Sequence, residues 1–312
     1  MFCVMPDAWR ATARTLLFSS AITAFAACER ANDSRSRSDT TLPPTVGAVE
    51  SLPPGSFAQR WDTTAGIILL VRDDSITRAV FPGVTQLDST AVLDEVVVRG
   101  VTADAVSSGG GAGSMRVEGF AVGDEECAVW PAIALAADST REWTVAFQRG
   151  AAAPIALQSI ESLVSADSAR LAVQLARLAG MLPNDTARVF QGLPFVVRGA
   201  HRFGAAEGRE AVVADIVRRV SLEANPREET LLIIAERDSG VTTWRVGYVE
   251  RASGDEMRVE HATALAAVRL GASATPTIVL ERAGADWVSY ALVQRQPDGT
   301  WRKTWESAQS GC

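Results

Sequence analysis

Apolar and polar residues alternate along most of the chain from residue 61 onward, in short segments that turn-forming residues separate. A period of two is typical of strands with one buried face. The candidate strands are residues 67–71, 77–81, 94–98, 115–122, 128–134, 143–147, 212–222, 231–237, 244–250, 277–282 and 287–293. Turn sequences at 238–240, at Gly284 and at 297–299 predict antiparallel hairpins among the later strands. The run 259–270 fits either a helix or a strand.

One amphipathic helix is predicted over residues 165–180. Leu171, Leu175 and Leu178 recur at helical spacing and form one apolar stripe. Ser165 is the expected N-cap, and the glycine at position 180 is expected to end the helix. The stripe predicts that this helix packs one face against a core.

The many strands, the one helix and the short turns predict a β-rich α+β fold with a mostly antiparallel sheet. Residues 233–237 resemble residues 278–282, and a tryptophan follows the turn after each, so a propeller-like all-β arrangement is the alternative. Residues 107–114 contain four glycines and are expected to form a flexible loop between strands. A strand pattern follows where a phosphate-binding loop needs a lysine and a helix, so that loop type is not expected.

The first residues have the order of an export signal. Arg10 and Arg14 precede an apolar run over residues 15–24, and two alanines at 26–27 come directly before Cys28. This pattern resembles the type II signal peptide of bacterial lipoproteins, with its lipobox cysteine. An ordinary secretory signal and an uncleaved anchor are the alternatives. The resemblance covers about the first tenth of the chain.

The resemblance implies cleavage after residue 27 and lipidation of the Cys28 thiol. The lipid anchor would hold the protein on a membrane of the cell envelope, on the periplasmic or cell-surface side. Residues 28–60 are polar and contain two Pro-Pro pairs, which is typical of a disordered tether. We therefore expect a signal peptide over 1–27, a tether over 28–60, a β-rich module over 61–150, and an α+β module with antiparallel hairpins over 151–312.

The net charge argues against one class of partner, and the cysteine content suggests one disulfide cross-link. The formal net charge is −7 and no basic stripe is present, which argues against nucleic acid as a partner. Cys3 would leave with the signal peptide and Cys28 would carry lipid. Cys127 and Cys312 would then be an even pair in an oxidising compartment, which predicts a disulfide between them. Two free thiols are the alternative.

A search for catalytic patterns finds no nucleophile motif, and the two histidines, His201 and His261, lack a second ligand at metal spacing. No cofactor and no metal are therefore expected. The densest polar run extends from Arg218 to residue 229, and Arg218 interrupts the apolar face of its strand. A buried arginine needs a carboxylate such as Glu223 or Glu236. These residues form either a structural ion pair or a site for an anionic ligand or partner.

The sequence favours a non-catalytic binding, scaffold or assembly module held at the membrane by its lipid. The ligand or envelope protein that it would bind is not indicated. A lipid-anchored hydrolase that uses paired Asp or Glu carboxylates is the alternative, because acidic residues are abundant and their pairing depends on the fold.

Overall fold

Antiparallel strands supply nearly all of the regular structure in the computed structural model. The structure describes residues 66, 68–73, 76–81, 95–122, 129–136, 142–183, 187–206, 208–220, 225–272 and 274–311. The strands are β1 (Leu69–Asp73), β2 (Ile76–Val80), β3 (Thr102–Ser107), β4 (Gly110–Phe120), β5 (Ile133–Leu135), β6 (Val145–Gln148), β7 (Ala152–Ile155), β8 (Gln158–Ser159), β9 (Val196–Ala206), β10 (Arg209–Val220), β11 (Arg227–Asp238), β12 (Arg245–Asp255), β13 (His261–Leu270), β14 (Thr275–Ala283), β15 (Val288–Arg295) and β16 (Trp301–Glu306). With the helix α1 (Ser165–Met181), they confirm the β-rich α+β fold.

Three sheets stack face to face, and α1 covers one outer face. The central sheet has the strand order β16-β15-β14-β13-β7. The amino-terminal sheet, β2-β1-β6-β3-β4-β5, packs on one side of it, and the helix-side sheet, β12-β11-β10-β9-β8, packs on the other. The layers are stacked and are not arranged as blades, so the α+β prediction describes the fold and the propeller-like alternative does not.

The middle strands of the central sheet carry apolar residues toward both faces because both faces are buried. Val279 and Leu292 lie in the core shared with the amino-terminal sheet. Ile278 and Ala291, one residue before each, lie in the core shared with the helix-side sheet. Consecutive apolar residues that enter opposite cores are typical of a strand buried on both faces. The predicted module boundary near residue 150 falls in the turn between β6 and β7, and the first of these cores includes strands from both sides of it.

The helix confirms the predicted stripe but not its predicted caps. Leu171 and Leu175 are buried against the helix-side sheet. Ser165 is the first helical residue, and Val164 is the N-cap without a side-chain hydrogen bond. Gly180 lies inside the last turn, and the helix ends at Leu182, which is extended (φ −66°, ψ 145°). The residue before a proline is disfavoured in the helical conformation, and Pro183 therefore determines this end.

Two local predictions were wrong. Residues 94–98, predicted as a strand, contain a 3₁₀ turn over Glu95–Val97, in which the Val98 amide donates to the Glu95 carbonyl. The glycine-rich run 107–114 is mainly strand, because β3 and β4 pair across a two-residue turn at 108–109. Glycines in β4 adopt φ values near +117° that side chains disfavour, and the strand continues through them. The ambiguous run 259–270 contains β13.

Candidate functional site

Arg218 is buried, as predicted, and its carboxylate partner in the structure is Glu229. The Arg218 side chain extends from β10 toward the α1 side of the sheet, is 4 % exposed, and donates from Nε to Glu229 on β11. Its guanidinium carbon lies 4.5 Å from the ring centre of Phe195. Arg251 Nη1 is 3.3 Å from Glu229 Oε1, so two arginines share this fully buried carboxylate. The arrangement is that of a structural ion cluster.

Glu236 lies elsewhere in the molecule. It follows Glu229 by seven residues on β11, and side chains alternate between the two faces of a strand. Glu229 therefore faces α1, whereas Glu236 faces the central sheet, and the structure does not bring Arg218 and Glu236 together. Glu223, Cys28, Cys127 and Cys312 lie outside the described residues. Lipidation at Cys28 and the disulfide between Cys127 and Cys312 remain predictions.

Glu236 is the centre of a polar cluster between the helix-side and central sheets. Its side chain is 1 % exposed. Arg295 of β15 donates to both carboxylate oxygens, with Nε at 2.7 Å and Nη2 at 3.1 Å. The Trp301 indole donates to Oε1 at 2.7 Å, and Arg209 Nη1 lies 3.6 Å from Oε2. We call Arg209, Glu236, Arg245, Arg295 and Trp301 the Glu236 cluster.

Three arginines of the Glu236 cluster converge on the turn between β15 and β16. Gly299 in this turn has φ +83°, a conformation that favours glycine. A Cβ atom built there would lie 3.1 Å from Arg245 Nη2, 3.4 Å from Arg295 Nη2 and 3.8 Å from Arg209 Nη1. Guanidinium groups from β10, β12 and β15 thus lie beside this glycine.

The cluster carries an excess of positive charge. Glu236 compensates Arg295 and lies within ion-pair distance of Arg209, and Asp238 lies 3.3 Å from Arg209 Nε. Among the described residues, Arg245 has no carboxylate within 4 Å. Three guanidinium groups against two carboxylates leave one net positive charge in a chain whose formal net charge is −7.

A second polar cluster lies in the same inter-sheet layer, beside a cavity of about 250 Å³ between β10–β12 and β13, β14 and β16. Arg282 forms ion pairs with Glu250, Glu260 and Glu306. Lys303 Nζ donates to Glu306 Oε2 at 2.7 Å, and burial, followed by the charge of Arg282, lowers the pKa of the Lys303 ammonium. The three carboxylates are thus held by cations, whereas hydrolysis by paired carboxylates needs one of them free to transfer a proton.

His261 takes part in a third network, which links the two sheets. Arg198 Nη2 lies 2.8 Å from His261 Nδ1. A guanidinium has only donors, so Nδ1 is the acceptor and the ring is neutral, with its proton on Nε2. Arg198 also donates to Asp215 at 2.6 and 3.1 Å and to Glu228 at 3.2 Å. Through these contacts, Arg198 of β9 links side chains of β10 and β11 to the first residue of β13.

The substitution Arg198→Gln is expected to raise the pKa of His261. Burial and then the positive charge of Arg198 lower this pKa below its ordinary value of 6.5. The variant removes that charge and leaves the Glu228 carboxylate 3.7 Å from Nδ1, which favours the imidazolium. Proton NMR titration measures the pKa, and a His201→Asn variant assigns the two histidine signals. A pKa that stays constant would contradict the Arg198 contact.

The same shift predicts how stability depends on pH. Because the folded-state pKa of His261 lies below the unfolded value near 6.5, the unfolded chain takes up the proton first as the pH falls. The contribution of His261 to the free energy of unfolding is therefore complete above pH 6.5, and it is lost as the pH falls through the folded-state pKa. The variant His261→Asn keeps an acceptor near the Nδ1 position and does not titrate, so its unfolding free energy should fall less between pH 7 and pH 5.

The sequence indicated Glu236 only as a possible partner of Arg218, and it did not indicate Arg209, Arg245 or Arg295. Each of these arginines is the first or last residue of its strand, next to a turn. No short spacing connects them, and only the stacking of two sheets brings them together.

Among the described residues, no group of histidine, cysteine and acidic side chains has the arrangement of a metal site. No helix in the described part of the chain combines the length and apolar character needed to cross a bilayer.

Comparison with protein-family models, with curated proteins and with solved structures found no match to this chain. The Glu236 cluster is therefore interpreted from its own geometry.

Proposed function

We propose that this protein is a lipid-anchored envelope protein whose folded part is a non-catalytic binding module for an anionic ligand. In this proposal Cys28 carries the lipid, residues 28–60 form the tether, and the Glu236 cluster is the binding site. The order of basic, apolar and small residues before Cys28 supports the anchor. A disulfide between Cys127 and Cys312 belongs to the same proposal, because the exported compartment would be oxidising.

The observation that carries the binding proposal is that three guanidinium groups from different strands lie close together beside Gly299. Like charges repel, so an anion that binds between these guanidinium groups would reduce the repulsion among them. Glu236 and Asp238 supply two negative charges, and an anionic ligand would supply the third. The chain has a net negative charge, and its overall field repels anions. This locally positive site would attract an anion despite that field.

The described carboxylates support binding more than hydrolysis. Glu236 is held by Arg295 and Trp301, and Glu229 is held by two arginines. Glu250 also faces Arg282 at 3.6 Å and accepts a hydrogen bond from Tyr248. A carboxylate held by fixed partners stabilises the fold and is poorly placed to exchange a proton with a substrate.

The anchor is tested by the substitution Cys28→Ala. The full chain, expressed in a bacterium with a lipoprotein pathway, should be found in the membrane fraction with an acylated N-terminal cysteine in its mass spectrum. The Cys28→Ala variant should lose the acyl mass and the mature N-terminus at residue 28. Cys3→Ala is the matched control and should leave both unchanged, because residue 3 would be removed with the signal peptide. A mature protein that begins upstream of residue 28 would overturn the anchor.

A further inference from the structure

We infer that the Glu236 cluster binds a phosphate group, either as inorganic phosphate or as part of a phosphate monoester. This inference rests on the proposed anion-binding function and specifies its ligand class. It depends on the geometry of the guanidinium groups around Gly299, on the charge that Arg245 leaves uncompensated, and on the open groove beside Arg209.

The number and origin of the donors favour a tetrahedral anion. Nitrogen atoms of Arg209, Arg245 and Arg295 lie 3.1–3.8 Å from the position that a Cβ atom of residue 299 would have, and they come from three different strands. A planar carboxylate offers two oxygens to a single guanidinium fork, whereas phosphate offers several oxygens in different directions. Donors that surround a point from several strands therefore match phosphate better than carboxylate.

One of the three donors, Arg295, is held in place before any ligand binds. Arg295 is fixed by two hydrogen bonds to the buried Glu236, which also accepts from the Trp301 indole. The Trp301 ring packs edge-on against Phe203, with ring centres 5.9 Å apart. Donors that are already oriented bind an anion without the entropy cost of ordering long side chains.

Arg245 is the ligand-facing charge of the cluster. It is the first residue of β12, is exposed, and has its Nη2 atom nearest to the space beside Gly299. The carboxylate of Asp298 in the same turn accepts hydrogen bonds from the Thr300 amide at 2.9 Å and the Thr300 hydroxyl at 2.6 Å. Those bonds hold the Asp298 carboxylate on Thr300, and no hydrogen bond or ion pair joins it to Arg245 among the described residues.

The groove beside the cluster gives room for the remainder of a monoester. It has a volume of about 540 Å³, is open to solvent, and is lined by Arg209 together with Gln158, Glu210 and Ser239. These side chains offer hydrogen bonds to a polar substituent. Arg209 belongs to both the groove and the cluster, so a phosphate near Gly299 could have its organic part in the groove.

Thermal unfolding and isothermal titration of the full chain in detergent test the inference at constant ionic strength. The added anions are inorganic phosphate, sn-glycerol 3-phosphate, succinate and chloride. Phosphate or its monoester should raise the Tm, since a ligand that binds only the folded state stabilises it. The variant Arg245→Gln should weaken this binding at least tenfold without a change of fold in circular dichroism.

The matched control is Arg258→Gln, which removes the same charge from an exposed arginine in the turn that follows β12. It should bind phosphate as the unmodified chain does. Equal weakening in both variants would reduce the effect to net charge and would overturn the site. If succinate binds and phosphate does not, and if Arg245→Gln loses the succinate binding, the phosphate inference is overturned. The proposed anion-binding function then still holds. No effect of any multivalent anion would overturn both.

One further comparison separates a soluble ligand from a lipid headgroup. Dihexanoyl phosphatidic acid, used below its micelle concentration, carries the same phosphate as sn-glycerol 3-phosphate with two short acyl chains. Tighter binding of the glycerol phosphate would support a soluble phosphate ligand. Tighter binding of the lipid, still lost in Arg245→Gln, would support a phosphate headgroup at the same site.

Discussion

The variant Glu229→Ala is expected to lower the free energy of unfolding by about 3–5 kcal/mol, the range found when one partner of a buried ion pair is removed. Glu229 is fully buried, and its loss leaves Arg218, which is 4 % exposed, without this carboxylate. The stacking of the Arg218 guanidinium on Phe195 remains but cannot replace the opposite charge. Chemical denaturation followed by circular dichroism measures the change.

Two further variants test whether the cost comes from the loss of the Glu229 charge. The double variant Arg218→Met with Glu229→Leu removes this buried pair, keeps similar volumes and leaves the partly exposed Arg251, so it should recover part of the lost stability. The variant Glu118→Ala is the control for an exposed acid on β4 and should change stability by less than about 0.5 kcal/mol. A loss as large in the double variant as in Glu229→Ala would show that packing, and not charge, stabilises this region.

The variant Trp305→Ala is expected to cost about 3–5 kcal/mol, because it leaves a cavity where a large aromatic side chain was packed. Trp305 is 1 % exposed on β16 and lies in the core between the central and amino-terminal sheets. Trp305→Phe keeps most of the volume and should cost less. Trp287→Ala is the matched control: this side chain is only partly buried next to β15, so its removal should cost less than that of Trp305. Equal costs at the two positions would contradict the layered core.

The strands and the helix could be predicted because their signals are local. The later hairpins have turn sequences at 238–240, at Gly284 and at 297–299, and the corresponding strands pair as expected. The apolar stripe of α1 depends only on helical spacing, and its Leu171 and Leu175 are buried whereas Leu178 is partly buried. The signals for lipidation at Cys28 and for the disulfide between Cys127 and Cys312 are also in the sequence, and both remain predictions.

Tertiary structure decided the features for which no local pattern exists. The partner of Arg218 depends on the register of β10 against β11, which places Arg218 opposite Glu229. Residues 94–98 have the composition of a strand, yet their hydrogen bonds are made within a turn.

The candidate site shows most clearly which features depend on local sequence and which depend on tertiary structure. The sequence by itself determined that the chain forms period-two strands, antiparallel hairpins and one amphipathic helix, since each depends on residues that are neighbours in the chain. It also marked Glu236 as a carboxylate of interest. Only the stacking of the helix-side sheet on the central sheet placed Arg209, Arg245 and Arg295 around Gly299. The physical reason is that charges interact through space, and these four residues are separated by up to 90 positions along the chain.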